Sequence, residues 1–369
     1  STLLASSAAS DVYKRQYLSF TLLLLLSMCI LEGCEKEKSH TVLELFSESQ
    51  SLSPKKDFYV NEDSIAIIEG LSCDGKNLIV NDYHSGCCYT LFDKKSGEYI
   101  ARFGTIGQGP AELPSPCYGY LTESDFTVFD DQTRIVMKYS LDSLRNSRKK
   151  DGSPVRLAQY KIPEAQISKL IAIDDTTFLC AGTYKSRYQY LLFNKNDSVL
   201  DYGVDVYNAA DSAFQTYTRY LSNQGNLVMN PEKHTFAGSI NFSSNIDFFE
   251  IVNNKIELIK SLRLGDPINK PVNEEGIYYV DLTENTQTGY IDLSATSKYV
   301  YALYSDKKMY ENNRKSDTVL VFDWDGNPIK KYSLDTDAYY IAVDSTQQSL
   351  FAAVKNSSSG WKIICYALD

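Results

Sequence analysis

The chain has few of the residues that build metal and redox centres. Its 369 residues hold three histidines, two tryptophans and four methionines, and none of the eight cysteines forms a C-x-x-C pair. A zinc site of His and Cys is therefore not expected. Positive charge is also short: 37 Lys and Arg against 47 Asp and Glu leave a net charge of −10. That balance repels a phosphate backbone and argues against nucleic acid as a partner. The longest apolar run, FTLLLLLSMCIL at 20–31, falls well short of the ~20 residues that span a bilayer as a helix. No segment carries a convincing helical period. What the chain has in quantity is 28 Tyr and 16 Phe, side chains suited to pleated, half-buried strands.

The N-terminal region reads as processing signals. Residues 1–16, STLLASSAASDVYKRQ, look like translated sequencing adaptor and are set aside from fold reasoning. Residues 17–33 form a signal peptide whose apolar core ends at Leu31-Glu32-Gly33-Cys34. That ending resembles the lipobox of bacterial lipoproteins, which makes Cys34 the expected lipidation site, with Glu32 a departure from the usual small or neutral residue. Residues 34–40 would be a charged tether and 41–369 the folded body. The six body cysteines, Cys73, Cys87, Cys88, Cys117, Cys180 and Cys365, read as small buried hydrophobes. Their disulfide state is left open by the sequence.

Six pairs of short strand patterns recur through the body every ~50 to 60 residues, the period of propeller blades. They begin at Leu78 and Cys88, Phe126 and Arg134, Phe178 and Tyr188, Phe236 and Ile246, Tyr299 and Thr318, and Phe351 and Trp361. Flanking runs supply inner strands at 64–69, 170–173, 290–293 and 340–343, and outer strands at 99–103, 256–262 and 329–332. The turns Asp74-Gly75 and Asp325-Gly326 are hairpin signals. The expected fold is all-β: a six-bladed β-propeller of four-stranded antiparallel blades. Because the last repeat offers only three strands, residues 41–46, TVLELF, are expected to close the ring as its fourth.

Residues 103–116, FGTIGQGPAELPSP, with 125–139, DFTVFDDQTRIVMKY, resemble an NHL-type propeller repeat. The P-x-E variant is similar to TolB-like six-bladed propeller lipoproteins of Bacteroidetes, and 317–335, DTVLVFDWDGNPIKKYSLD, has the same character. The resemblance implies the fold; it implies little about activity, since propellers host unrelated functions. The glycine-rich run lacks the Lys-Ser/Thr of a P-loop, so Gly104, Gly107 and Gly109 read as backbone requirements of a tight connector.

One face of such a ring gathers Tyr83, His84, Arg134, Tyr184, Lys185, Arg187, Lys307, Tyr310, Arg314 and Trp361 in its loops. Basic and aromatic residues on an acidic protein suggest an anionic, glycan or protein ligand. The opposite face has short acidic turns that read as structural. Two functions stay open. One is a non-catalytic binding lipoprotein of the outer membrane, periplasmic or surface-exposed, with no cofactor. The other is a metal-dependent hydrolase or lyase holding Ca²⁺ in the channel through Glu69, Asp82, Asp130 and Asn230.

Overall fold

A computed structural model describes residues 41–369, apart from 56–59, 61–64, 85, 147–154, 160–166, 186, 197, 206–219, 266, 268, 313, 357–359 and 369. The leader, Cys34 and the tether, as well as most of the connector after blade 3, lie outside the described residues.

Six antiparallel meanders follow one another along the described residues, the first five of four strands, A to D, and the sixth of three. Blade 1 comprises Ile68–Cys73, Asn77–His84, Cys87–Asp93 and Tyr99–Thr105; blade 2 comprises Pro116–Leu121, Asp125–Asp130, Ile135–Ser140 and Val155–Gln159. Blade 3 comprises Ile167–Ala172, Thr177–Tyr184, Tyr188–Asn194 and Val199–Asp205; blade 4 comprises Gly225–Met229, Thr235–Ile240, Ile246–Val252 and Lys255–Leu262. Blade 5 comprises Gln287–Ala295, Tyr299–Lys308, Ser316–Asp323 and Pro328–Ala338; blade 6 has three strands, Tyr340–Val343, Ser349–Asn356 and Gly360–Ala367. Each A strand touches the A strands of the blades on either side, so the six form a closed inner ring.

The middle strands are nearly continuous apolar runs because both faces of each blade are buried. In blade 1, Leu78, Val80 and Phe92 pack towards blade 6, while Ile79, Tyr89 and Leu91 pack towards blade 2. Aromatic rings fill the seams, as with Phe103 and Tyr139 at 5.0 Å and Tyr190 and Phe249 at 4.4 Å.

The seams also carry polar straps. Arg145 ties blade 2 to Asn77 of blade 1 at 2.7 Å, Lys138 ties it to Asp175 of blade 3 at 2.7 Å, and Asp201 of blade 3 accepts the Ile256 N–H of blade 4 at 2.9 Å. Lys260 reaches Asn327 of blade 5 at 3.0 Å, and the Tyr366 hydroxyl of blade 6 donates to Asp335 at 2.5 Å.

All six A–B turns are closed by a short polar side chain at the same place. Asp74, Thr122, Asp174, Asn230, Thr296 and Asp344 each accept a backbone N–H two to four residues on. This is the turn chemistry of Asx and hydroxyl side chains. Gly326 uses the left-handed region at φ 75, whereas Gly75 does not; the Asp74 carboxylate and the Asp74 N–H, which donates to the Asn77 carbonyl at 3.1 Å, organise that turn.

The N-terminal segment closes the ring, but not through residues 41–46. That stretch is a 3-10 turn, Val42–Leu45, with Val42 and Phe46 buried in the seam between blades 4 and 5. The stretch bonds to itself instead: the Thr41 carbonyl accepts the Glu44 N–H at 3.0 Å and the Leu43 carbonyl the Phe46 N–H at 3.3 Å, which spends on local turns the groups a ladder would need. Ser49–Ser51 then adds a parallel fifth strand to the edge of blade 5, with Gln50 opposite Tyr332. The missing edge of blade 6 is met by Pro54, bridged to Tyr366, and by the Lys55 N–H, 2.7 Å from the Cys365 carbonyl.

Three further differences from the sequence reading are local. The inner strand of blade 1 is Ile68–Cys73 rather than 64–69, because the Asp82 carboxylate takes the N–H groups of Ala66 and Ile67 and holds them out of the ladder. Short helices stand at Leu141–Asn146 and Met309–Asn312. The connector after blade 4 folds into a hairpin, Asn269–Glu274 with Ile277–Leu282.

Candidate functional site

The inner ring surrounds a cavity of about 490 Å³. Its wall is made by A strands, and its mouth by A–B turns, including Asp74, Thr122, Glu232, Ser297 and Ser345. The cavity therefore opens on the face whose turns the sequence marks as structural. Tyr120 bars part of it: from the A strand of blade 2 its hydroxyl donates to the Met229 carbonyl of blade 4 at 3.2 Å, passing in front of blade 3. Burial holds the Tyr120 hydroxyl well above the usual phenol range.

Charge on the wall is concentrated at Lys169 of blade 3 and Asp292 of blade 5. Asp292 accepts the Leu293 N–H at 3.0 Å and, across the seam, the Ile341 N–H of blade 6 at 2.9 Å. Burial pushes its carboxyl up to about 6, against the opposing pull of the Ile341 N–H and of the nearby Lys169 and Arg314. Asn226 stands beside them, its amide within 3.2 Å of Asn241. Such a wall can orient a small polar solute between a cation, a carboxylate and amides while leucines exclude water.

None of the ten loop residues singled out from sequence is among those lining this cavity. Tyr83 and His84 end the B strand of blade 1. Arg134, Lys185 and Arg314 occupy B–C turns in the left-handed region, at φ 56, 50 and 57, where blades 1 and 6 use Gly86 and Gly360. Tyr184 is buried against Tyr202. Lys185 lies 4.0 Å over the same Tyr202 ring, and Arg187 is ion-paired with Asp205. Tyr310, 70 % exposed, donates to the Leu282 carbonyl at 2.7 Å, near Lys307 in sequence. Trp361 packs edge-on to Tyr339 at 5.0 Å beneath Lys355. The structure thus groups Tyr184, Lys185 and Arg187 at blade 3 and Lys307, Tyr310 and Arg314 at blade 5, with Arg134 and Trp361 on other blades. Arg314 alone comes within electrostatic reach of the wall, at Asp292.

The candidate metal ligands have identifiable structural partners. Asp82 is saturated by Ala66, Ile67 and the Thr90 hydroxyl; Asp130 accepts from Ser115 at 2.6 Å and Thr133 at 2.7 Å. Asn230 donates to the Ser297 carbonyl at 3.1 Å, and Glu69 is an exposed strand residue whose carboxyl burial pushes up. Among the described residues no three His, Cys, Asp or Glu side chains converge as a metal site would need.

The glycine-rich connector holds its own anion. The Glu112 carboxylate accepts the Gly109 N–H at 2.8 Å, and a Cβ on Gly107 would lie 2.0 Å from its Oε2. The cradle that resembles a phosphate loop is therefore occupied by the acid of the P-x-E motif.

Sequence reasoning missed Lys169, Asp292 and Asn226. The usable signal was a polar residue at an inner-strand position flanked by apolar ones, as in ISKLIA, GNLVM and GYIDLS.

A search of curated proteins finds no match. Among solved structures, a protein of Bacteroides fragilis assigned as exported shares 11 % identity at a TM-score of 0.51, over 87 % of this chain and 94 % of that one. A member of the DUF4221 family from Bacteroides vulgatus shares 12 % identity at a TM-score of 0.49, over 86 % and 97 %. At these identities the likeness is one of fold. Residues 64–346 match the TolB-like 6-blade propeller-like family, and with most of the chain inside that match, the protein belongs to the TolB-like six-bladed propellers.

Proposed function

We propose that the chain is an exported, envelope-anchored lipoprotein whose propeller is a non-catalytic binding module, taking a small polar solute into the channel from the A–B turn face. The observation that carries this reading is the cavity at the ring axis, with Lys169, Asp292 and Asn226 on one wall. Its volume lies in the range of small-molecule sites, roughly 300 to 1,000 Å³. The carboxylates at strand ends favour binding over catalysis, because Asp82 and Asp130 spend their oxygens on backbone N–H groups. The cationic loops of the other face already engage Tyr202, Asp205 and Phe242, which supports the channel over that face as the ligand's place.

Anchoring follows from Cys34 after an apolar segment, and no helix among the described residues is long and apolar enough to cross a membrane. Radiolabelled palmitate incorporated by the native chain and lost in Cys34→Ala supports the anchor; equal labelling of both contradicts it. For the binding module, a library of sugars, amino acids, organic acids and polyamines is screened by thermal unfolding. Solutes that stabilise the wild type and fail on Ser297→Trp, which crowds the channel mouth, support the reading. Stabilisers that act equally on both contradict it.

A further inference from the structure

The cavity leaves the ring axis at one place. In the seam between blades 1 and 2 it reaches past the inner strands to Ile79 and Asn81 on the B strand of blade 1. Register explains the opening. Gly70 pairs with Asn81 and Ser72 with Ile79, so these small inner residues share the face that looks towards blade 2. From blade 2, Gly119 pairs with Val128 and Leu121 with Phe126 on the opposing face. Gly119 cannot gain a side chain, since a Cβ there would lie 1.9 Å from the Phe126 ring.

Asn81 ends this arm under unusual conditions. It is 9 % exposed and lines the cavity. Its Oδ1 is buried without a hydrogen-bond partner. A buried amide oxygen that no donor reaches opposes folding. The corresponding position of blade 2, one before Asp130 as Asn81 is one before Asp82, holds the buried Phe129. An apolar residue is therefore what the fold itself uses there. Asn81 thus presents the cavity with hydrogen-bonding capacity that the protein itself leaves unused.

The nature of a partner for Asn81 follows from the lining. Gly70, Ser72, Ile79, Gly119 and Leu121, with the Tyr89 and Phe126 side chains of the same seam, bring no charge to the arm, so a charged group there would be desolvated without a counter-ion. A hydroxyl both donates and accepts, and it satisfies either end of an amide. Hydroxyls are also what Ser72, Ser294, Asn226, Lys169 and Asp292 can bind around the rest of the cavity.

We propose that the arm between blades 1 and 2 is a hydroxyl subsite, and that Asn81 there hydrogen-bonds a neutral, monosaccharide-sized sugar seated in the channel. This rests on the channel being the binding site. The sugar's ring would lie along the axis, with one hydroxyl directed into the arm.

Saturation-transfer NMR of the whole folded chain with methyl glucoside, methyl galactoside, methyl mannoside and N-acetylglucosamine at millimolar concentration tests this. At least one sugar receives saturation, and Asn81→Leu raises its Kd about tenfold, the loss of one hydrogen bond of ordinary strength. The same variant, measured without ligand, unfolds at a higher temperature than the wild type, because an uncompensated amide has gone. Ser72→Leu, which fills the arm from the facing strand, weakens the sugar without touching Asn81. If a charged solute binds in the channel and no sugar does, the sugar assignment falls and the channel reading stands. If a sugar binds Asn81→Leu as tightly as the wild type, the subsite falls. If no solute of any class binds, both fall.

Discussion

Lys94, in the C–D turn of blade 1, holds its Nζ 3.0 Å from the carboxylate of Asp344 at the end of the inner strand of blade 6. The pair spans the seam where the last blade meets the first, and Asp344 is 1 % exposed there. Desolvation would raise the Asp344 carboxyl, but the Lys94 ammonium, the Gln348 N–H and the Thr346 hydroxyl outweigh it and hold it below its ordinary value of 3.8.

A group depressed in the folded state contributes stability above its unfolded value and loses it as acid protonates it. Lys94→Met should therefore cost about 2 kcal/mol at neutral pH, as for a hydrogen bond to a charged group. The difference from wild type should shrink as pH falls through 3.8 and below. Urea unfolding at pH 7 and pH 3 measures both values; equal differences at the two would contradict the assignment.

Asp292 gives the opposite sign. Its carboxyl is raised to about 6, first by burial, so its contribution is present below the unfolded value and is lost as pH rises through 6. Asp292→Asn keeps an oxygen for one of the two N–H groups, which the carboxylate accepts on separate oxygens, and removes the titration. Relative to wild type it should gain stability between pH 4 and pH 8, read as the difference of two melting curves. A difference that does not change with pH would place the titration elsewhere.

Tyr120→Phe removes the hydroxyl that crosses the ring to Met229 and leaves its ring against Ile171 and Met229. The cost should be about 1 kcal/mol in urea unfolding. Hydrogen exchange should quicken in Gly225–Met229 of blade 4 more than in the adjacent blade 3 strand, Ile167–Ala172. Uniform quickening of both would mean that the bond does not single out blade 4.

The glycine connector makes a steric prediction. Gly107→Ala places a methyl where the Glu112 carboxylate lies, so the acid must leave and the Gly109 N–H loses its acceptor. A loss of about 1 to 2 kcal/mol is expected. Glu112→Gln, which retains an acceptor oxygen, should cost less. If the two variants ranked the other way, the acid would not be what organises this loop.

Most of the ring was legible because its middle strands are buried on both faces. Runs such as LIV at 78 and FTVFD at 126 stand out against polar turns, and the Asp, Asn and Thr of the A–B turns, as at Asp74, Asn230 and Thr296, are required by turn geometry. The N-terminal closure was misplaced because TVLELF carries a strand's composition, whereas the i to i+3 bonds from Glu44 and Phe46 back to Thr41 and Leu43 hold it as a 3-10 turn, with Val42 and Phe46 buried in one seam. The charged loops drew attention for their side chains, yet Arg134, Lys185 and Arg314 sit where the hairpin needs a left-handed residue. The channel was hidden for the converse reason. Its arm is opened by Gly70, Ser72 and Gly119, small residues that matter chiefly through the space they leave. Asn81 left one trace, an amide interrupting the apolar run NLIVND.

Amide hydrogen exchange, with and without a saturating solute found by thermal unfolding, tests most directly where the ligand sits. Protection confined to Ile68–Cys73, Pro116–Leu121, Ile167–Ala172, Gly225–Met229 and Gln287–Ala295, with the turns that follow them, is the predicted result. Protection confined to the turns at Arg134, Lys185 and Arg314 would contradict it and move the site to the other face of the ring.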